Sequence, residues 1–123
     1  YCKPFWIMYP PEELEPFPYA INKQDLSTVN VADLHAPGGF GELLGVAEKI
    51  YSLDELEKRA SKKGFSQKQL DRLQWYFDLQ SAGCIQHGGM GMGVERTIRW
   101  MLGLPHVRDA IPFPRLTGRK PRP

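Results

Sequence analysis

Apolar residues along this chain cluster with two different spacings, and the change from one to the other divides the sequence into elements. Phe5-Trp6-Ile7-Met8 is an apolar run of β-compatible residues closed by Pro10-Pro11, and it reads as a buried strand. Residues 10–18 form a proline-punctuated turn. Val29-Asn30-Val31-Ala32-Asp33-Leu34 alternates in part and Gly41-Glu42-Leu43-Leu44-Gly45-Val46-Ala47 more fully, with the turn Ala36-Pro37-Gly38-Gly39 between them. That arrangement predicts an antiparallel hairpin.

The spacing then becomes helical. Ser52-Leu53-Asp54-Glu55 has the residues of a capping box, and Leu53, Leu56 and Ala60 recur on one face. Gly64 supplies a left-handed terminus, and Ser66-Gln67-Lys68-Gln69 opens a second helix carrying Leu70, Leu73 and Phe77, with Gly83 at its end. A glycine-rich strand follows. The last helix is predicted over Val94 to Leu102, with Gly103 and Pro105 as its stop and Glu95 spaced to pair with Arg99. Ile111-Pro112-Phe113-Pro114 reads as extended, because proline cannot continue a helix. Strands, two helices, a strand and a helix, in that order, favour an α+β fold: an antiparallel sheet with flanking helices.

Composition narrows the function classes. A chain of 123 residues suits one compact domain, and 41% apolar with 24% charged residues is ordinary for a globular protein. A net charge of +2 gives no compositional case for nucleic-acid binding, and the basic tail of Arg115, Arg119, Lys120 and Arg122 reads as a solvated end. No apolar run is long enough to span a membrane and no signal peptide opens the chain, so a cytoplasmic protein without membrane contact is expected. Cys2 and Cys84 are too few for a disulfide framework or a zinc site. The chain opens on Tyr1 with residues that look like the interior of a fold, so it is expected to be a piece of something longer.

The chemistry concentrates in Gly89-Met90-Gly91-Met92-Gly93-Val94-Glu95-Arg96. Glycines at alternate positions clear one face of an extended segment, so a flat group such as a purine can lie on the backbone. The helix that follows presents Arg96 on its first turn, and guanidinium is a planar, permanently charged fork suited to phosphate oxygens. Glycine repeats also arise where a strand packs closely against a neighbour. The spacing is not the G-x-G-x-x-G of a dinucleotide site, and no Gly-Lys-Ser/Thr marks a P-loop.

These residues resemble the third signature motif of the class II aminoacyl-tRNA synthetases, in the asparaginyl/aspartyl branch. His87-Gly88 before the motif and Arg108-Asp109-Ala110-Ile111-Pro112-Phe113-Pro114-Arg115 after it are similar to that branch, as are Ala36-Pro37 with Gly41-Glu42-Leu43-Leu44-Gly45, and Trp75-Tyr76-Phe77-Asp78-Leu79. The similarity runs from Phe5 to Arg119. It implies an antiparallel sheet that cradles ATP, activation of an amino acid (asparagine or aspartate) as its adenylate, and transfer to tRNA. Carried over, Arg96 would hold the γ-phosphate, Glu42 would meet Mg2+ or a phosphate-bound water, and Gly89, Gly91 and Gly93 would admit adenine. Lys49, Gln80 and His87 would line the amino-acid side.

The chain also departs from the family. No arginine stands two positions before a glutamate, as the second signature requires for the α-phosphate, and neither the first signature nor an anticodon-reading barrel has a counterpart. The resemblance therefore implies that residues 1–123 are the C-terminal portion of the catalytic domain. An N-terminal segment or second polypeptide would complete it, with a homodimer as the family's habit. After Gly45, the residues Val46, Ala47, Glu48 and Lys49 stand where the branch usually has glycine, a small hydroxyl residue and, one residue later, an arginine; Gln80-Ser81 replaces an arginine-rich pair. Two alternatives stay open on these grounds. One is a synthetase-related asparagine synthetase that uses aspartate, ATP and ammonia; the other is a non-catalytic paralogue that binds a nucleotide or a protein.

Overall fold

Four strands form one antiparallel sheet in the order β1-β2-β3-β4: β1 is Phe5–Met8, β2 Val31–Ala36, β3 Gly41–Lys49 and β4 His87–Met92. Between β3 and β4 stand helices α1 (Leu53–Lys62) and α2 (Gln67–Ser81), and α3 (Val94–Leu102) follows β4. The computed structural model describes residues 2–118, so Tyr1 and the basic tail residues Arg119, Lys120 and Arg122 lie outside the described residues. The predicted order of elements is the observed one. Among the described residues, no helix is long and apolar enough to cross a membrane.

One expectation needs correction. Phe5–Met8 is a strand but not a buried one: Trp6, Ile7 and Met8 are 49%, 44% and 53% exposed. The reason is position, because β1 ends the strand order and has β2 as its one neighbour in the sheet.

The backbone contacts divide the described residues into two units, 2–7, 33–45 and 91–118 in the first, and 8–32 and 46–90 in the second. The second unit holds the larger core. α1 packs on α2, and Leu56 and Ala60 from the predicted apolar face of α1 are fully buried with Phe17, Ile50 and Phe77. Phe17 meets Phe65 edge-on at 5.0 Å, and side chains of this size stabilise by roughly 1.5–3 kcal/mol each when buried. Ser52 accepts the Glu55 N–H at 3.5 Å, while the Ser66 N–H donates to Gln69 Oε1 at 2.9 Å. Gly64, at φ 72°, makes the left-handed turn between the helices.

The proline-rich segment is more than a turn. It carries a short 3-10 helix, Glu12–Leu14, whose Glu12 carboxylate is buried against the Arg59 guanidinium of α1 and accepts from Lys62 Nζ at 2.7 Å. Arg59 Nε also donates to the Phe17 carbonyl at 3.4 Å, so this cluster ties the segment and its core phenylalanine to α1.

In the first unit α3 has its predicted bounds and ends at Gly103, whose φ of 63° is left-handed. Arg99 donates to the carbonyls of Leu104 and Pro105, each at 3.2 Å, and its guanidinium lies 4.8 Å from the Phe40 ring centroid. Among the described residues it forms no ion pair with Glu95. The helix packs on a second 3-10 turn, Val107–Ala110, before the extended Ile111.

Candidate functional site

In the first unit, α3 begins just after Gly93 and puts Arg96 on its first turn. A Cβ on Gly93 would stand 3.3 Å from Arg96 Cδ and 3.4 Å from its Cβ and Cγ, so the missing side chain gives the arginine stem room to lie across the strand end. Nη1 donates to the Glu42 main-chain oxygen at 3.2 Å and stands 3.9 Å from the Glu42 carboxylate, with the two side chains 55% and 43% exposed. A pair this open contributes at most about 1 kcal/mol. The guanidinium is therefore positioned by the backbone rather than neutralised, and its other donors face solvent.

The structure adds Asp33, which the sequence reading did not single out. A Cβ on Gly45 would meet Asp33 Oδ1 at 3.0 Å and Glu42 Oε1 at 3.3 Å, so both carboxylates converge on one glycine. Burial, and then the charge of Glu42, raise the Asp33 pKa above its ordinary value, while His35 pulls it back. His35 in turn stacks on Phe5 with ring centroids 5.7 Å apart. An acidic residue on a half-buried strand was the available signal. Its partner lies on the facing strand, so its meaning depended on the pairing.

Gly91 is the clearest part of the ribbon. Nothing lies within 4 Å of where its Cβ would be, and its φ is not positive. Neither packing nor backbone geometry calls for glycine there, although glycine in a strand costs roughly 0.5–1 kcal/mol. The strand face at Gly91 is open.

The second unit holds the remaining predicted residues. Gly88 follows the packing explanation, since its Cβ would come within 3.0 Å of the Ala47 carbonyl oxygen. Gly89 would meet only Lys49 Cε, at 3.8 Å. The Lys49 ammonium sits 3.8 Å from the Tyr19 ring centroid, and burial lowers its pKa. The neighbouring Glu48 carboxylate is taken by Asn30 Nδ2 at 2.5 Å and Gln86 Nε2 at 2.6 Å. His87 Nδ1 lies 2.9 Å from the Ile85 carbonyl, within its own turn. Gln80, expected to line the amino-acid side, is only 4% exposed; it hydrogen-bonds Tyr76, whose pKa burial raises. Its helical position turns it into the packing of α2 and not toward solvent.

Among the described residues no group of three or more His, Cys, Asp or Glu side chains is placed to hold a metal. Asp33 with Glu42 still fits a hard cation that keeps water and phosphate oxygens as its other ligands. Magnesium commonly takes one or two carboxylates and leaves the remaining positions to substrate phosphates.

Residues 1–117 match the family of tRNA synthetases class II (D, K and N). The chain belongs to this class II family. An asparagine–tRNA ligase of Lactobacillus delbrueckii subsp. bulgaricus is 39% identical over 117 residues, 95% of this chain and 26% of that one. The asparaginyl-tRNA synthetase of Pyrococcus horikoshii, in its complex with asparaginyl-adenylate, superposes with a TM-score of 0.86 at 34% identity, over 97% of this chain and 27% of that one. An aspartyl-tRNA synthetase from Entamoeba histolytica gives 0.87 at 27% identity, over 98% and 24%. The α+β fold is thus that of asparaginyl and aspartyl class II synthetases, and this chain spans about a quarter of the length of these relatives.

Proposed function

We propose that residues 1–123 form the C-terminal part of a class II catalytic domain, working in the cytoplasm, that activates asparagine or aspartate with ATP and passes the acyl group to tRNA. The observation that carries this reading is the half-exposed Arg96 on the first turn of α3, held by the Glu42 backbone beside a strand whose Gly91 has an open face. A relative of the same fold was crystallised with asparaginyl-adenylate.

In the proposed reaction an α-carboxylate oxygen of the amino acid bonds to the α-phosphorus of ATP, and the bond from that phosphorus to pyrophosphate breaks. Such a displacement needs position and charge stabilisation more than acid–base work. Arg96 holds the γ-phosphate end, and Gly91 with Gly93 lets adenine rest on the strand. Asp33 and Glu42 would hold Mg2+, which supplies charge neutralisation on the phosphates when bound. The arginine for the α-phosphate belongs to an N-terminal segment or a second polypeptide, and the complete protein works as a homodimer.

The test is ATP–pyrophosphate exchange on the full-length protein with Arg96→Ala. Losing a charge-assisted contact of about 1.5–3 kcal/mol lowers exchange by roughly ten- to a hundredfold. Undiminished exchange removes Arg96 from the phosphate site.

A further inference from the structure

Helix α3 presents Arg96 with little apolar anchorage of its own. Among the described residues it buries none of its side chains, and Val94, Met101 and Leu102 are more than half exposed. Three contacts, about one helical turn apart, join it to β3 and to the turn that enters β3. The Gly93 N–H donates to the Leu43 carbonyl at 2.9 Å, Arg96 Nη1 donates to the Glu42 carbonyl at 3.2 Å, and the Arg99 guanidinium lies 4.8 Å from the Phe40 ring centroid. Residues 93, 96 and 99 share one side of the helix, and their partners 43, 42 and 40 run backwards along the chain, so α3 lies against the direction of β3. The third contact is fastened at both ends. Arg99 Nε and Nη2 are held by the carbonyls of Leu104 and Pro105, and the Phe40 ring lies over Gly38 of the β2–β3 turn, where a Cβ would stand 3.6 Å from Cε2.

We propose that Phe40 and Arg99 are positioning residues for the triphosphate: their contact fixes the roll of α3 on β3 and so aims the Arg96 guanidinium. This rests on the adenylation reading, in which Arg96 meets the γ-phosphate. Phe40, Glu42, Arg96 and Arg99 all lie in the first unit. Arg96 itself has one backbone hydrogen bond and an open, long ion pair to Glu42, so it depends on its helix for direction. An aromatic face holds a planar guanidinium over itself, and an aliphatic side chain in its place does not. Without that pin only a fraction of the molecules keep Arg96 in place, and the apparent affinity for the triphosphate falls by the same fraction. Phe40 and Arg99 act through Arg96 and do not touch the nucleotide.

The experiment measures binding of ATP with Mg2+, and separately of AMP, by calorimetry on the full-length protein, with thermal melting as the folding control. Phe40→Leu is expected to weaken ATP by about two- to fivefold, the worth of an exposed cation–π contact, and to leave AMP unchanged. Arg99→Met reproduces the ATP-selective loss, and Phe40→Tyr, which keeps the ring, retains the wild-type affinity. In an Arg96→Ala background Phe40→Leu adds no further loss, because the side chain it aims is gone. A further loss there, unchanged ATP affinity in Phe40→Leu, an equal fall for ATP and AMP, or a Phe40→Tyr variant as weak as Phe40→Leu overturns the proposal. An Arg96→Ala variant that binds ATP like the wild type overturns the γ-phosphate reading instead. The positioning inference is then decided by the 15Nε resonance of Arg96: a shift with Phe40→Leu and none with Phe40→Tyr sustains it, and the same response to both overturns it.

Discussion

Arg96 Nη1 donates to the main-chain oxygen of Glu42 at 3.2 Å, yet stands 3.9 Å from the carboxylate of the same residue. The backbone contact does not depend on the Glu42 side chain, so the two functions of residue 42 can be separated. Glu42→Gln should change stability by less than about 0.5 kcal/mol, since an exposed pair at this distance contributes little. The magnesium dependence of ATP binding should weaken markedly. Thermal melting and titration of Mg2+ against ATP affinity check both halves.

The two kinds of glycine in the ribbon should respond in opposite ways. Gly91→Ala meets nothing within 4 Å and has no positive φ to strain, so it should hold or gain stability by up to about 1 kcal/mol. It should nevertheless raise the KM for ATP by obstructing the open face. Gly88→Ala pushes a methyl to 3.0 Å from the Ala47 carbonyl oxygen and should lose about 1–3 kcal/mol. Denaturant melts with ATP kinetics on both variants separate ligand access from packing.

Glu12 and Arg59 form a buried ion pair, with side chains only 9% and 7% exposed. Glu12→Ala leaves the guanidinium buried without its carboxylate and should cost about 3–5 kcal/mol. Glu12→Leu combined with Arg59→Met removes both charges and should recover much of that loss, which urea denaturation can measure.

Asp33 gives a pH prediction with a definite sign. Its folded pKa is raised by burial and by Glu42, so between its ordinary value of 3.8 and the folded midpoint the native state binds more protons than the unfolded one. The Asp33 contribution to stability therefore falls as pH rises through that window and is constant above it. Glu42→Gln should lower the Asp33 midpoint, and His35→Gln should raise it. Carboxyl 13C titration without divalent cations reads both shifts.

Much of this architecture was legible in residue order. α3 has its predicted bounds because a glycine at each end and apolar residues at helical spacing determine them locally, and Gly64 marks its turn for the same reason. The hairpin was legible but its register was not. β2 begins at Val31, because Val29 is fully buried in an isolated bridge to Ile21. Facts set by distant partners were hidden. The Glu12–Arg59 pair, the burial of Gln80 and the exposure of β1 depend on which segments meet, and local spacing does not carry that information. The same holds in the candidate site: Arg96, Glu42 and Gly91 are proposed from a motif, whereas the approach of Asp33 to Glu42 at Gly45 is visible only in the fold.

The central claim is that Arg96 grips the far end of a triphosphate. Calorimetry of the full-length protein with ATP and Mg2+, and separately with AMP, tests it most directly in wild type and Arg96→Ala. The account predicts that the substitution weakens ATP by about ten- to a hundredfold and leaves AMP binding unchanged. Equal losses for both nucleotides, or no loss for either, would contradict it.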